Sequence, residues 1–196
     1  MRMKKLLLCL LAPITALAAQ QVAPRPKKVL TPEQQAYQQE IKQYRDESDR
    51  LRAVAIQAFD AEMAREKAGD CPDASTNYDW EMCLGREGKI TDGNYKAYAG
   101  AIRSMLGLKY PPPPGSTETP VTIGPAGVAL TPEQLVAEFD NTEHLWASYR
   151  DAQCGAAFHQ FDGGSGAPVA EAECEQRLTR AHMRDLDAVY NVTHPH

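Results

Sequence analysis

With 196 residues, 43% of them hydrophobic and only 7% aromatic, the chain can build one modest core and not several domains. A formal charge of −5 excludes a general nucleic-acid binder.

The chain opens with Arg2, Lys4 and Lys5, an apolar run starting at Leu6–Leu11, and small residues for cleavage at Ala16-Leu17-Ala18. Residues 1–19 are read as a signal peptide. The apolar run stops short of the roughly 20 residues that a membrane span requires. The protein is therefore expected to be periplasmic or secreted after cleavage. Without those three basic residues, 18 Lys and Arg stand against 26 Asp and Glu, and the mature chain carries about −8. Cys9 leaves with the signal, while Cys71, Cys83, Cys154 and Cys174 remain. Four cysteines in an exported chain imply two disulfides. Their intervening runs of 11, 70 and 19 residues match no zinc-site spacing, so no metal is expected.

Residues 20–30 carry prolines and positive charge without periodicity and read as a leader. Thr31-Pro32-Glu33-Gln34 then starts a helix: Thr31 caps it, Pro32 fills the first turn and Gln34 closes a capping box. Tyr37, Ile41, Tyr44, Leu51, Ala55 and Ala58 recur at helical spacing to about Lys67, and Gly69 ends the helix. This stripe over 32–67 packs on a core or supports self-association; residues 20–69 form the leader and an amphipathic helix. Cys71-Pro72 is extended. Ser75 or Thr76 caps a glycine-softened helix over 76–106, and residues 107–130, with Tyr110 and Pro111–Pro114, are a Pro-rich linker.

Leu130-Thr131-Pro132-Glu133-Gln134 repeats the five residues at Leu30 and uses the same helix-start chemistry a second time. Leu135, Phe139, Thr142, Trp146, Tyr149, Gln153 and Ala156 follow at four-three spacing, the strongest amphipathic signal in the chain. Phe139, Trp146, Tyr149 and the stem of Arg150 are expected in the core, with Arg150 and Asp151 fixing helix register. Phe161–Pro168 breaks the helix. A last helix begins at about Val169 and a tail covers 191–196. No stretch alternates like a strand. The fold class is all-α: a disulfide-stapled antiparallel helical hairpin or bundle with an additional N-terminal amphipathic helix.

If the 76–106 and 132–160 helices form a hairpin across the linker, Cys83 lies 23 residues before Leu106 and Cys154 lies 23 after Thr131. At ~1.5 Å per residue both stand about 35 Å from the turn, side by side. This favours Cys83–Cys154 with Cys71–Cys174; the alternative is the local pairing Cys71–Cys83 with Cys154–Cys174.

Catalytic signatures are missing: there is no Gly-x-Ser-x-Gly, His-Glu-x-x-His, phosphate-binding loop or dinucleotide fingerprint. Cys154 and His159 imitate a Cys–His pair, but a disulfide consumes the thiol. The chain is read as a non-enzyme without cofactors.

Cys71, Cys83, Trp146-x-x-Tyr149-Arg150-Asp151-x-x-Cys154, Gly163-Gly164-Ser165, and Cys174 with Thr179 together resemble the LprI-type lysozyme inhibitor N-terminal domain over about residues 70–190. That family consists of small exported helical domains with disulfides. The resemblance implies inhibition of a c-type lysozyme by protein–protein contact. Asn94 and Tyr95 stand where the family has Leu and Asn, and His182 where an arginine is common. Inhibition needs a projecting element, for which the His159–Pro168 loop is the candidate, with His159, Asp162, Gly163, Gly164 and Ser165 as partner-binding residues. A mature chain of negative charge is steered toward basic lysozymes. The competing reading is a structural or interaction protein of the cell envelope without lysozyme activity.

Overall fold

The computed structural model describes residues 30–116, 121–123, 127 and 129–194. The expected signal peptide and all of the expected leader but Leu30 lie outside these residues. Four helices carry the fold: α1 (Pro32–Ala68), α2 (Asn77–Leu106), α3 (Pro132–His159) and α4 (Ala167–Tyr190). Within the linker a two-residue ladder joins β1 (Thr122–Ile123) to β2 (Ala129–Leu130), antiparallel, with Thr122 opposite Leu130. The all-α expectation holds, with this short ladder as an addition.

Local chemistry sets the helix starts. Thr31 accepts from the Gln34 amide and the Gln34 side chain accepts from the Thr31 amide; Thr131 and Gln134 repeat the arrangement. Thr76 caps α2 in the same way, with Asp79 as the returning side chain. Gly69 closes α1 at φ 85°, a backbone region that suits glycine. Despite its glycines α2 is one uninterrupted helix.

Chain directions follow from named contacts. Phe59 meets Tyr98 and Arg65 meets Glu87, so α1 and α2 are antiparallel. Phe139 meets Tyr190 and Cys154 meets Cys174, so α3 and α4 are antiparallel as well. Gln176 bonds Leu84 and Asp187 bonds Tyr98, which makes α2 and α4 parallel. The main packing runs α1 on α2, α2 on α4 and α4 on α3. Tyr98, Ile102, Phe139, Met183, Leu186 and Val192 fill the core, and Ala55 and Ala58 let α1 approach closely. Each fully buried large apolar side chain contributes roughly 1.5–3 kcal/mol.

This order corrects the disulfide expectation. The bonds are Cys71–Cys83 and Cys154–Cys174. The hairpin calculation took α3 as the main partner of α2, whereas α4 packs more closely against both. Contacts from Tyr95 to Trp146 and from Arg103 to Asp140 show α2 and α3 antiparallel, in a register that carries Cys83 past Cys154. Each cysteine therefore meets the one nearest in sequence.

Of the two uses offered for the α1 stripe, packing on the core is seen: Ile41, Leu51, Ala55 and Ala58 are buried, and Tyr44 packs edge-on against Tyr110 of the linker at 5.1 Å. The tail is anchored through Thr193, because Val192 is buried and its carbonyl accepts from Arg52 at 3.2 Å. Among the described residues no helix is long and apolar enough to cross a membrane.

Candidate partner interface and the polar core behind it

α3 does not present the face that its apolar residues suggest. Phe139 is buried and Trp146 half-buried, but Tyr149 is 55% exposed. The inward stripe runs Phe139, Glu143, Trp146, Arg150, Cys154, so a period of 3.6 is kept by two charged residues. Glu143 accepts from the Tyr95 hydroxyl and lies 2.8 Å from His182 Nε2. His182 stacks on Trp146 with ring centres 4.1 Å apart and planes 6° from parallel. On the same indole the Arg150 guanidinium sits 5.1 Å from the ring centre, a cation–π contact. Burial and the Glu143 carboxylate both push the Tyr95 hydroxyl well above its usual pKa, keeping it a donor.

A second polar cluster ties α1 to the rest. Glu62 is 0% exposed and accepts from Thr91 Oγ1 at 2.7 Å, Asn94 Nδ2 at 2.8 Å, Arg180 Nε at 2.7 Å and Arg65 Nη1 at 3.0 Å. Burial alone would raise the Glu62 pKa. The donors Asn94, Thr91 and Arg180, with the charge of Arg65, outweigh it and hold the carboxyl below its usual range. Arg180 also grips Asp70 with two nitrogens, at 2.5 and 2.8 Å, and Arg65 reaches Glu87 at 2.5 Å. Asn94, Tyr95 and His182 all face inward in these clusters. Composition and periodicity do not mark Glu62 or Arg180, because a polar residue on a helix is assigned to solvent by default.

The glycine-rich turn between α3 and α4 is built to hold one shape. Asp162 and Gly163 take positive φ angles of 47° and 75° in succession. The Gly164 amide donates to the Phe161 carbonyl at 2.8 Å, and the Ala167 amide to the Gly164 carbonyl at 2.9 Å. The Phe161 ring lies against Gly166, where an added Cβ would come within 3.0 Å of it, and still leaves Phe161 50% exposed. Asn77, the first residue of α2, donates to Ser165 Oγ at 3.0 Å. Asp162, Gly163, Gly164 and Ser165 are all exposed and belong to this one turn, and His159, also exposed, is the last residue of α3 before it. The Cys154–Cys174 bond closes its base. Sequence reading missed Phe161 and Asn77 in this surface; an aromatic at a loop tip was the available signal.

A catalytic arrangement is not assembled around these residues. Cys154 is disulfide-bonded and carries no free thiol. Among the described residues no group of three or more His, Cys, Asp or Glu is placed to hold a metal ion.

A family model described as "Lysozyme inhibitor LprI" matches residues 68–186, more than half of the chain. No curated protein and no solved structure matches.

Proposed function

The chain belongs to the LprI lysozyme inhibitor family, and from that premise we propose that it binds and blocks a c-type lysozyme outside the cytoplasm, through the turn between α3 and α4. The observation that carries this reading is the turn itself: an exposed Phe161 and Asp162 on a tip held by Ser165–Asn77 and closed by a disulfide. A tip already fixed in shape loses little conformational entropy on entering a cleft, which favours affinity. Exposed aromatics are typical anchors of protein interfaces. The negative mature charge speeds encounter with a basic enzyme. Residues 1–19 act as the export signal in this reading.

The test is a cell-wall lysis assay with a c-type lysozyme. The intact mature chain slows lysis, and deletion of residues 162–166 weakens inhibition by about tenfold or more, the size expected for loss of interface anchors. Full inhibition by the deletion variant would remove the turn from the mechanism.

A further inference from the structure

A recess lies near the start of α2, the end that Asn77 joins to the turn. Residues after Gly69 and the first turns of α2 enclose a groove of about 390 Å³. The Cys71–Cys83 disulfide, Pro72 and Met82 form its apolar part, while Asp73, Asp79 and Glu87 stand around it with Arg86 in the lining and Arg65 behind Glu87. Glu87 is engaged by Arg65, and Asp79 by the capping hydrogen bonds of Ser75 and Thr76. Asp73 is exposed and makes no hydrogen bond or ion pair with the described residues. Met82 is 48% exposed, and Tyr78, one helical turn before it, is 69% exposed. Both side chains thus rise from the end of α2 that Asn77 joins to the loop tip.

Apolar walls with a surplus of carboxylates suit one kind of guest: a long side chain with an aliphatic stem and a cationic head. Charge complementarity also selects the owner of that side chain, because a negative chain of this family meets a basic enzyme. We propose that this groove receives a lysine or arginine side chain of the lysozyme and forms the second half of the interface, with Met82 against its stem and Asp73 as its ion partner. The proposal rests on the lysozyme reading and adds to it a site that the loop does not supply. Because Asp73 lies in solvent, its effect is expected mainly in association rate and in salt dependence.

The experiment measures binding of the mature full-length chain to immobilised c-type lysozyme at low and at raised ionic strength. Asp73→Lys is expected to weaken binding about tenfold at low salt and by less at raised salt. Met82→Ala is expected to weaken it about fivefold at either salt concentration. Wild-type binding with both variants unchanged would overturn the groove and leave lysozyme inhibition standing. If the wild type binds no lysozyme, inhibition fails, and the groove is tested alone with a short arginine-rich peptide while the Met82 methyl signal is followed by NMR. A shift in the wild type that is lost in Asp73→Lys supports a cation-accepting groove; an unmoved signal rejects it.

Discussion

Glu62 and Arg180 meet at 2.7 Å in the interior of the protein, 118 residues apart in sequence, one on α1 and the other on α4. Only Arg180 belongs to the span matched by the family model. The helix that precedes the family domain is thus wired into it through a buried charge, and its other contacts to Thr91 and Asn94 reach α2.

Removing Arg180 leaves the buried Glu62 with Arg65 as its remaining cation and takes away the ion partner of Asp70. Arg180→Met is therefore expected to cost about 3–5 kcal/mol, read as a lower urea midpoint with an unchanged slope. Adding Glu62→Leu to that variant should recover part of the loss, giving a non-additive double-mutant cycle. Additive losses would mean that the two side chains do not act as a unit.

Acid should loosen this cluster and the separate contacts of Asp187 with Tyr98 and Thr193. Glu62 and Asp187 both have folded-state pKa values below their ordinary ones, 4.5 and 3.8. In each case burial pushes upward and is outweighed: at Glu62 by Asn94, Thr91 and Arg180, at Asp187 by Thr193 and Tyr98. A depressed folded pKa contributes stability that is complete above the unfolded value and is lost as pH falls through the folded one. Stability should hold near neutrality and fall below about pH 4.5, and Glu62→Gln should flatten that fall. An acid profile unaltered by Glu62→Gln would contradict the assignment.

Much of this was legible in the sequence and some was not, for physical reasons. Capping is a local code, so Thr31-Pro32-Glu33-Gln34 and Thr131-Pro132-Glu133-Gln134 mark two helix starts within four residues. Inward-facing charge is not local. Glu143 and Arg150 occupy the positions where α3 turns inward, so a stripe traced through apolar residues drifts to Tyr149, which faces solvent. Disulfide pairing depends on which helix is the neighbour and in what register, and the packing of α4 against both α2 and α3 leaves no periodic trace. The glycine-rich turn could be named from composition, but its tie to Asn77 spans 88 residues and needs the fold.

Peptide mapping without reduction checks the helix order. Peptides joining Cys71 to Cys83 and Cys154 to Cys174 are expected. Each bond closes a short loop, worth about 3 kcal/mol in the chain-entropy model, so reduction should lower thermal stability without changing the fold class. A peptide joining Cys83 to Cys154 would contradict the register of α2 on α3 and the packing of α4 against both.

Truncation checks whether α1 is an appendage. A chain beginning at Asp70 lacks Ala55, Ala58 and Phe59, which cover Tyr98 and its neighbours, and leaves Arg180 with Asp70 alone. It should keep helical far-ultraviolet signal but lose the near-ultraviolet signal of fixed aromatics and unfold without a sharp transition. Cooperative unfolding at the full-length temperature would make the chain from Asp70 onward a self-sufficient domain.

Calorimetric titration of the mature chain into a c-type lysozyme most directly tests inhibition through the turn between α3 and α4. The expected result is a one-to-one complex that weakens as salt is raised and weakens by about tenfold in Phe161→Ala, an anchor-sized loss. No heat of binding at low salt would contradict a lysozyme partner, and an undiminished affinity in Phe161→Ala would contradict the turn as its contact.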